Sequence, residues 1–288
     1  MPEGDTIFKA ARSLREALVG REVTGVETGV AQIRALGPQR LVGQHVAQVE
    51  PRGKHLLHWF APSDLALHTH MRMTGSWHVY RVGERWRKPR HLARIVLEAA
   101  PMVAVCFSAP VCELLSRGQV ERHGALAALG PDALADTVDV AEARRRLDAR
   151  PDVSIAEALL DQRVLAGVGN VYKSELLYLH RADPWSPVAQ VAEDTRDALL
   201  DSAVRLLRVN VAPGATRRTT TGAVPSAGGD RLHVSAGTPR YFVYGKARRP
   251  CARCATPVRV ARQGEQGRLT YWCPRCQGPG PQRTTPRP

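Results

Sequence analysis

Two pairs of cysteines near the end of the chain constrain its fold more than any other feature of the sequence. Each pair encloses two residues, and residues 255–272 separate the pairs, whose members are Cys251, Cys254, Cys273 and Cys276. This spacing is typical of a zinc site, because each short turn presents two thiolates and two such turns complete a tetrahedron. A redox pair or a chance arrangement is the alternative. Because a closed four-thiolate site is structural, we predict one structural zinc ion that takes no part in chemistry.

The residues between the cysteine pairs predict a β-hairpin. Residues 257–260 and 268–272 have the pattern of strands, and the segment 264–267, which begins and ends with glycine, predicts the turn between them. The zinc ion would hold this hairpin rigid, with Arg268 near its tip and directed toward an anionic partner. Alternatively, Arg268 is a solvated surface side chain. The remaining cysteines, Cys106 and Cys112, lack the spacing of metal ligands.

The charge of the chain favours a polyanionic partner. Its 288 residues include 41 Lys and Arg against 27 Asp and Glu, a formal net charge of +14, which points to nucleic acid. A membrane surface is a weaker alternative because the sequence contains no basic amphipathic helix with a large aromatic face. No stretch reaches the length of a membrane span, and no signal peptide is evident. We therefore expect a cytoplasmic protein without membrane association.

The pattern of the chain predicts a mostly β part followed by a mostly α part, an α+β multidomain protein. An amphipathic helix over residues 7–18 comes first. Short alternating segments separated by turn residues then predict a β-sandwich or a flattened barrel; they are residues 22–27, 45–50, 55–60, 64–70, 76–80, 92–98 and 102–107. Helices are predicted further on, over residues 140–149, 155–162, 171–179 and 195–209, with Ser154 and Glu157 as a capping box for the second of these.

Changes in composition divide the chain into four segments. We predict an N-terminal β-sandwich domain over residues 1–120, a linker and helical domain over 121–240, the zinc hairpin over 241–277 and a disordered tail over 278–288. Within the second segment, residues 212–240 are rich in Gly, Thr, Arg and Ser, which predicts a long polar loop.

The start of the chain could supply an unusual nucleophile. If Met1 is removed, Pro2 supplies a secondary amine at the start of the first helix, with the Glu3 carboxylate beside it. Such an amine titrates near ~8, so a fraction is neutral at pH 7 and can attack an aldehyde carbon to give an iminium ion. Glu3 could move protons next to it. Alternatively, the two residues only start a helix, where proline is tolerated and a negative charge is favourable.

Two turns between predicted strands carry further candidates. Lys54 follows Arg52 and Gly53, and the segment 70–75 contains His70, Arg72 and Met73. A lone lysine or histidine on a turn is usually only solvated. An exposed methionine is less ordinary, and apolar side chains are what some proteins insert between unstacked bases.

Taken in order along the chain, these motifs resemble the formamidopyrimidine-DNA glycosylase/endonuclease VIII family. The resemblance extends from Pro2 to Gln277, and its most specific part is the combination of the proline terminus, the turn 167–170 and the late zinc hairpin. It implies that the helical part is a helix-two-turn-helix domain, and that the whole is a DNA glycosylase and AP lyase. Residue 4, glycine here, makes the chain more similar to the endonuclease VIII branch, which favours oxidised pyrimidines, whereas Met73 is more similar to the purine-directed branch.

The resemblance implies a role for each matching residue. Pro2 is similar to the Schiff-base nucleophile, Glu3 to its acid/base partner, and Lys54 and Arg268 to residues that assist elimination and contact phosphate. The DNA-contact positions are matched by His70 and Asn170 for phosphate, Met73 and Arg72 for the gap left by a flipped base, and Glu175 for an acidic residue near the catalytic proline.

The function implied is bifunctional. The protein would excise oxidised bases, mainly pyrimidines, from double-stranded DNA as a monomer, and then cut the strand by β,δ-elimination. One alternative is a non-catalytic protein that binds damaged DNA on the same scaffold. Another is a zinc-containing protein that acts on RNA, although no carboxylate cluster suited to two catalytic metal ions is evident.

Overall fold

The structure, a computed structural model, describes residues 2–215, 217–221 and 240–281. The chain divides into two compact units, Met1–Ala128 and Leu129–Pro288.

Parts of two predicted segments lie outside the described residues. They are residues 216 and 222–239 of the predicted polar loop and residues 282–288 of the predicted tail.

The N-terminal unit is a β-sandwich preceded by a helix, as the sequence predicts. Two antiparallel four-stranded sheets have the strand orders β1-β6-β7-β5 and β2-β3-β4-β8. The strands are β1 Gly25–Thr28, β2 His45–Arg52, β3 His55–Ala61, β4 Leu65–His70, β5 Ser76–Arg81, β6 Ala93–Ala99, β7 Met102–Phe107 and β8 Val111–Ser116.

Helix α1, Gly4–Leu18, packs against the sandwich through one apolar face. Its residues Ile7, Ala11, Leu14 and Leu18 are fully buried, at the spacing that a helix places on one side. They share a core with side chains from both sheets. The helix begins three residues earlier than predicted, since Gly4 and Asp5 already belong to it. Pro2 therefore precedes the helix and does not occupy its first turn.

The region after β7 differs most from the expectation. Strand β8 was not predicted, and it pairs with β4 at the edge of the second sheet. Helix α3, Arg117–Glu121, follows directly and is capped reciprocally by Ser116 and Gln119. The remaining short helices of this unit are α2, Ala31–Ala35, and α4, Gly124–Ala127, with 3-10 turns at Pro38–Leu41 and Arg90–Leu92.

The described part of the C-terminal unit combines four helices with a hairpin. The helices are α5 Val140–Asp148, α6 Ile155–Leu160, α7 Asn170–Leu179 and α8 Glu193–Val211, with a 3-10 turn at Val188–Gln190. All residues of α7 are buried, so the other elements pack around this helix. Ser154 caps α6 as predicted, but its hydroxyl donates to the Glu157 carboxylate (2.6 Å), which takes the place of the reciprocal bond of a capping box.

The hairpin consists of β9, Arg259–Gln263, and β10, Arg268–Trp272, joined by the predicted turn. Strand β9 begins two residues later than predicted. Val258, Cys251 and Cys273 are buried in the same core as the helices. The hairpin is therefore an integral part of the C-terminal unit.

Candidate functional site

Glu3 occupies the N-cap position of α1, directly after Pro2. Its backbone is extended (φ −129°, ψ −177°), and its carbonyl accepts hydrogen bonds from the N–H groups of Thr6 (2.9 Å) and Ile7 (3.1 Å). Glu3 is buried and Pro2 is half-buried. The unpaired N–H groups and the dipole of a helix N-terminus favour a carboxylate at this position. The buried face of α1 fixes both residues against the sandwich.

Lys54 lies on the tight turn between β2 and β3. Gly53 has a positive φ of 56°, which glycine adopts without strain, and this turn leaves Lys54 half-buried at the end of the sheet. Burial, followed by the charges of Lys54 and Arg72, lowers the pKa of His70 to about 4. His70 is therefore a neutral imidazole that stands in the positive field of two predicted DNA-contact residues.

The turn after β4 exposes Met73, and hydrogen bonds fix the backbone of this turn. Met73 is 57% exposed, whereas Met71 is buried in the core. The N–H of Gly75 donates to the Met71 carbonyl (2.8 Å), and the N–H of Arg72 donates to Nδ1 of His70 (3.2 Å). The structure thus brings three predicted residues together, His70 at the end of β4 and Arg72 and Met73 on the turn that follows it, with Lys54 close to His70.

Asn170 is the first residue of α7 and is 7% exposed. Its amide group donates to the carbonyl of Leu269 on β10 (2.7 Å), while its Oδ1 has no hydrogen-bond partner among the described residues. The turn that precedes it is organised by Gln162, whose side chain bonds the Val168 carbonyl (2.9 Å) and the Gly167 N–H (3.1 Å). Asn170 therefore connects the helix pair to the hairpin.

Lys173 makes a second connection to the hairpin that the sequence analysis missed. Its side chain is fully buried, and Nζ donates to Oγ1 of Thr270 (2.7 Å) and to the Leu269 carbonyl (3.2 Å). A buried ammonium is stable only when its donors are satisfied. No sequence signal separates Lys173 from a surface lysine, because its partners lie almost a hundred positions further along the chain.

Arg268 begins β10 and is exposed beside the hairpin turn. Its guanidinium donates to Oε1 of Gln266 through Nε and Nη2 (3.2 Å each). The adjacent residues Leu269 and Thr270 are held by Lys173, so the backbone at Arg268 is fixed while its charged end stays accessible.

Glu175 is fully buried and serves as an acceptor for the backbone. Its Oε1 accepts from the N–H groups of Val243 and Tyr244 (2.8 Å each), and its Oε2 accepts from Phe242 N–H (2.7 Å) and Thr220 Oγ1 (2.5 Å). Burial raises the pKa of Glu175, although these hydrogen bonds act in the opposite direction. We call this arrangement the Glu175 clamp. The sequence analysis did not anticipate it.

The four cysteines of the sequence motif come together at the base of the hairpin. The Sγ–Sγ separations are 3.4 Å for Cys254–Cys273, 3.5 Å for Cys254–Cys276 and 3.9 Å for Cys251–Cys276. Thiolates around a tetrahedral zinc ion at the usual Zn–S length stand about 3.8 Å apart. The cluster can therefore hold one metal ion, and the Tyr178 hydroxyl contacts Sγ of Cys251 (3.4 Å) from outside it.

Comparison with known proteins decides the family. Residues 1–110 match the formamidopyrimidine-DNA glycosylase N-terminal domain, and residues 129–221 match the formamidopyrimidine-DNA glycosylase H2TH domain. The chain belongs to the formamidopyrimidine-DNA glycosylase/endonuclease VIII family. This confirms the resemblance inferred from the sequence, including the β-sandwich and the helix-two-turn-helix domain.

Relatives that match over almost their whole length are named endonuclease 8 or AP lyase. "Probable endonuclease 8 2" of Streptomyces coelicolor is 43% identical, with 100% of this chain and 99% of the relative covered. "DNA-(apurinic or apyrimidinic site) lyase Nei2" of Mycolicibacterium smegmatis is 39% identical over 96% and 99% of the two chains. "Endonuclease 8" of Escherichia coli is 32% identical over 96% and 100%.

Solved structures have the same fold. The Lactococcus lactis Fpg bound to DNA containing an abasic site aligns with a TM-score of 0.76 at 24% identity, over 96% of this chain and 99% of that chain. Among the described residues, no helix is both long and apolar enough to cross a membrane.

Proposed function

We propose that this chain excises oxidised bases, mainly pyrimidines, from double-stranded DNA through a Schiff base on Pro2 and then cleaves the strand by β,δ-elimination. Membership of the family makes it a DNA glycosylase with AP lyase activity; the proposal concerns the lesion and the residues. The observation that carries it is the placement of Pro2 directly before Glu3, a buried carboxylate at the N-terminus of α1.

The first step needs a neutral amine. Removal of Met1 would leave Pro2 with a secondary amine, of which a fraction is unprotonated at neutral pH. Its nitrogen attacks C1′ of the damaged nucleotide, and the bond from C1′ to the base breaks. Glu3 transfers a proton during this exchange, because it is the carboxylate next to the reacting nitrogen. The sugar ring then opens to leave an iminium ion on C1′.

The second step uses the iminium ion as an electron sink. It acidifies the C2′ proton, so loss of that proton expels the 3′ phosphate, and a second elimination expels the 5′ phosphate. We assign Lys54 to the first elimination and Arg268 to the second. Both are cations on fixed backbone, and a fixed cation stabilises the charge that develops on a departing phosphate.

Phosphate contacts would supply most of the DNA affinity. A net charge of +14 favours this mode of binding, and His70, Arg72, Asn170 and Arg268 are the proposed contacts. Extrusion of the damaged nucleotide costs a few kcal/mol, and the exposed side chain of Met73 would offset part of this cost by filling the gap. Glu175 supports the protein interior through its clamp, and its match to an acidic residue near the catalytic proline remains a prediction.

One zinc ion would complete the C-terminal unit. We assign it to the four cysteines, whose mutual spacing fits tetrahedral coordination. The ion would stabilise the base of the hairpin, and Lys173 and Asn170 stabilise its β10 strand. We further propose that the protein acts as a monomer on DNA in the bacterial cytoplasm; its relatives are bacterial proteins named as DNA repair enzymes.

Borohydride trapping tests the nucleophile. Reduction in the presence of DNA with an abasic site should give a covalent adduct for the native chain and none for Pro2→Gly or for a chain with a residue added before Pro2. Val82→Ala changes an exposed apolar residue in the same unit and should retain the adduct. An adduct in the chain with the blocked terminus would refute the role of Pro2.

A nicking panel tests the lesion and the non-catalytic alternative. Duplexes with thymine glycol or 5-hydroxycytosine should be cut faster than a duplex with 8-oxoguanine. The reverse order would reject the pyrimidine preference. Tight binding of all these duplexes without any nicking, after mass spectrometry has verified the Pro2 terminus, would favour a protein that only binds damaged DNA.

A further inference from the structure

Three strands and a short helix bring a second group of metal-ligating side chains together in the N-terminal unit. In the pairing register, His55 lies opposite His70, and His68 lies opposite Glu113. Because side chains alternate along a strand, all four stand on one face of the second sheet. His123, at the N-cap of α4, reaches the same face. None of the cysteines takes part.

His68, Glu113 and His123 converge at one point. Nδ1 of His68 is 2.7 Å from Oε2 of Glu113, and Nε2 of His123 is 3.3 Å from the same oxygen. The three ligand atoms lie within 4.8 Å of one another. The side chain of His68 is 1% exposed, that of His123 is 22% exposed, and that of Glu113 is 41% exposed. The point where they meet is therefore closed on one side and accessible to water on the other.

We propose that His68, Glu113 and His123 form a binding site for a transition-metal ion, with zinc(II) as the ion that this ligand set favours. Two imidazoles and a carboxylate are the protein ligands of many mononuclear zinc sites, in which water completes the coordination. Ligand atoms around such an ion stand about 3.3 Å apart. The His123–Glu113 separation already has this value, and the half-exposed Glu113 side chain can open the shorter separation to His68.

A hydrogen-bond partner for the buried ligand is already in place. Nε2 of His68 lies 2.9 Å from Nδ1 of His55. A metal-bound histidine normally donates its second ring N–H to such an acceptor, which fixes the orientation of the ring. His55 thus occupies the position of the hydrogen-bond acceptor that orients a metal-bound histidine.

Metal binding would reverse this hydrogen bond. Without an ion, the Glu113 carboxylate only accepts, so His68 donates through Nδ1, and its Nε2 accepts from Nδ1–H of His55. With an ion on Nδ1, His68 carries its proton on Nε2 and donates to His55, which then carries its own proton on Nε2. His123 shifts its proton from Nε2 to Nδ1 in the same way, so each imidazole keeps one proton.

Occupancy of this site would therefore reach the proposed DNA-contact residues. His55 directly follows Lys54, and its ring centroid is 4.5 Å from that of His70. A change of tautomer at His55 alters which nitrogen donates beside these two residues. The metal site itself rests only on the contacts of the histidine cluster and does not depend on the proposed catalytic steps.

Zinc(II) binding by the full-length protein tests the site. In equilibrium dialysis against a chelator-buffered zinc solution, the native chain should bind two zinc ions, one in the cysteine cluster and one here. Glu113→Gln and His123→Ala should each lose the second ion and keep the first. His45→Ala removes an exposed histidine of the same unit and should still bind two ions. Circular dichroism verifies that each variant is folded.

A spectroscopic measurement gives a readout that a purely structural cluster would not show. In ¹⁵N-edited NMR spectra of the imidazole rings, saturating zinc should move the His55 proton from Nδ1 to Nε2 in the native chain and in His45→Ala, but not in Glu113→Gln. A native chain that binds only one zinc ion would overturn the proposal. Retention of the second ion by both Glu113→Gln and His123→Ala would overturn it as well.

Discussion

At the scale of single residues, the side chains that hold the C-terminal unit together contact partners far along the chain. Lys173 bonds to β10, and Glu175 bonds to the backbone of residues 242–244. The sequence identified the cysteines because their spacing is local and specific to metal binding. It could not identify Lys173, the Glu175 clamp or the histidine cluster, because each depends on pairings that only the folded chain creates.

Glu175 provides a test of the clamp. Glu175→Gln replaces one accepting oxygen by a donor, so at least one of the three backbone N–H groups bound to the carboxylate loses its acceptor, and the remaining bonds no longer end on a charged group. We expect a loss of about 2–4 kcal/mol in the free energy of unfolding of the unit, because hydrogen bonds to charged groups are worth about 1.5–3 kcal/mol each. Urea denaturation measures the loss.

Hydrogen exchange locates the effect of this substitution. The amides of Phe242, Val243 and Tyr244 should exchange faster in Glu175→Gln than in the native chain, whereas the amides of β7 should be unchanged. Glu121→Gln, at an exposed position in the other unit, should alter neither measurement. Unchanged protection of residues 242–244 in Glu175→Gln would contradict the clamp.

At the scale of elements, periodicity predicted most helices and strands, and the errors occur where local pattern and packing differ. Alternation identified seven of the strands in the sandwich, because each has one face on a core. Strand β8 was missed because its sequence does not alternate between apolar and polar residues. Cys112 and Leu114 are buried, but the other face carries the apolar residues Val111 and Leu115 as well as Glu113. Helix α1 begins earlier than predicted because its first turn is polar and buried, with Asp5 accepting from the N–H of Thr6 (2.8 Å).

The turn 71–75 illustrates how packing specifies a residue at this scale. A Cβ atom at Gly75 would stand 2.7 Å from Cα and 2.8 Å from the carbonyl oxygen of Met71, and 3.0 Å from Cα of Ala109. These are backbone atoms, so the clash can be relieved only if the turn moves. Gly75→Ala should therefore cost about 1–3 kcal/mol of stability and displace the turn that carries Met73.

Gly124 offers the matched control for this substitution. It begins α4, and a Cβ atom there would contact nothing within 4 Å. Thermal melts of both variants measure the two effects: Gly75→Ala should lower the melting temperature, and Gly124→Ala should be neutral or slightly stabilising. Equal melting temperatures for the two variants would show that the turn at Gly75 is not tightly packed.

At the scale of the whole molecule, the excess of positive charge and the family membership point to DNA. The sequence predicted the order of the parts and the family, because these depend on motifs spread from Pro2 to Gln277. The two compact units meet between residues 128 and 129 of the sequence, and the hairpin shares the core of the helical unit. Amino-acid composition does not reveal that two segments share a core, so the sequence analysis assigned the hairpin to a separate segment.

The salt dependence of DNA binding tests the proposed contact of Arg268. Each phosphate neutralised contributes about 0.9 to the slope of log K against log salt concentration. Arg268→Ala should weaken binding to duplexes of any sequence and reduce the magnitude of this slope by about 1. Fluorescence anisotropy over a range of salt concentrations measures both effects.

Arg259 provides the comparison for Arg268. It is exposed at the opposite end of the hairpin, where it pairs in register with Trp272. Arg259→Ala should leave the slope close to that of the native chain, and both variants should keep one zinc ion in the cysteine cluster. Identical slopes for the native chain and Arg268→Ala would exclude Arg268 as a phosphate contact.

The Glu175 clamp has a consequence for how such proteins can diverge. Thr220 and Phe242 are tied to the same carboxylate oxygen, so these two residues are fixed side by side. Residues 242–244 donate through their backbone N–H groups, so a change of their side chains, to any residue but proline, leaves these donors in place. The carboxylate at position 175 and the hydroxyl at position 220 are both side-chain groups, so we expect these two positions to change together among relatives.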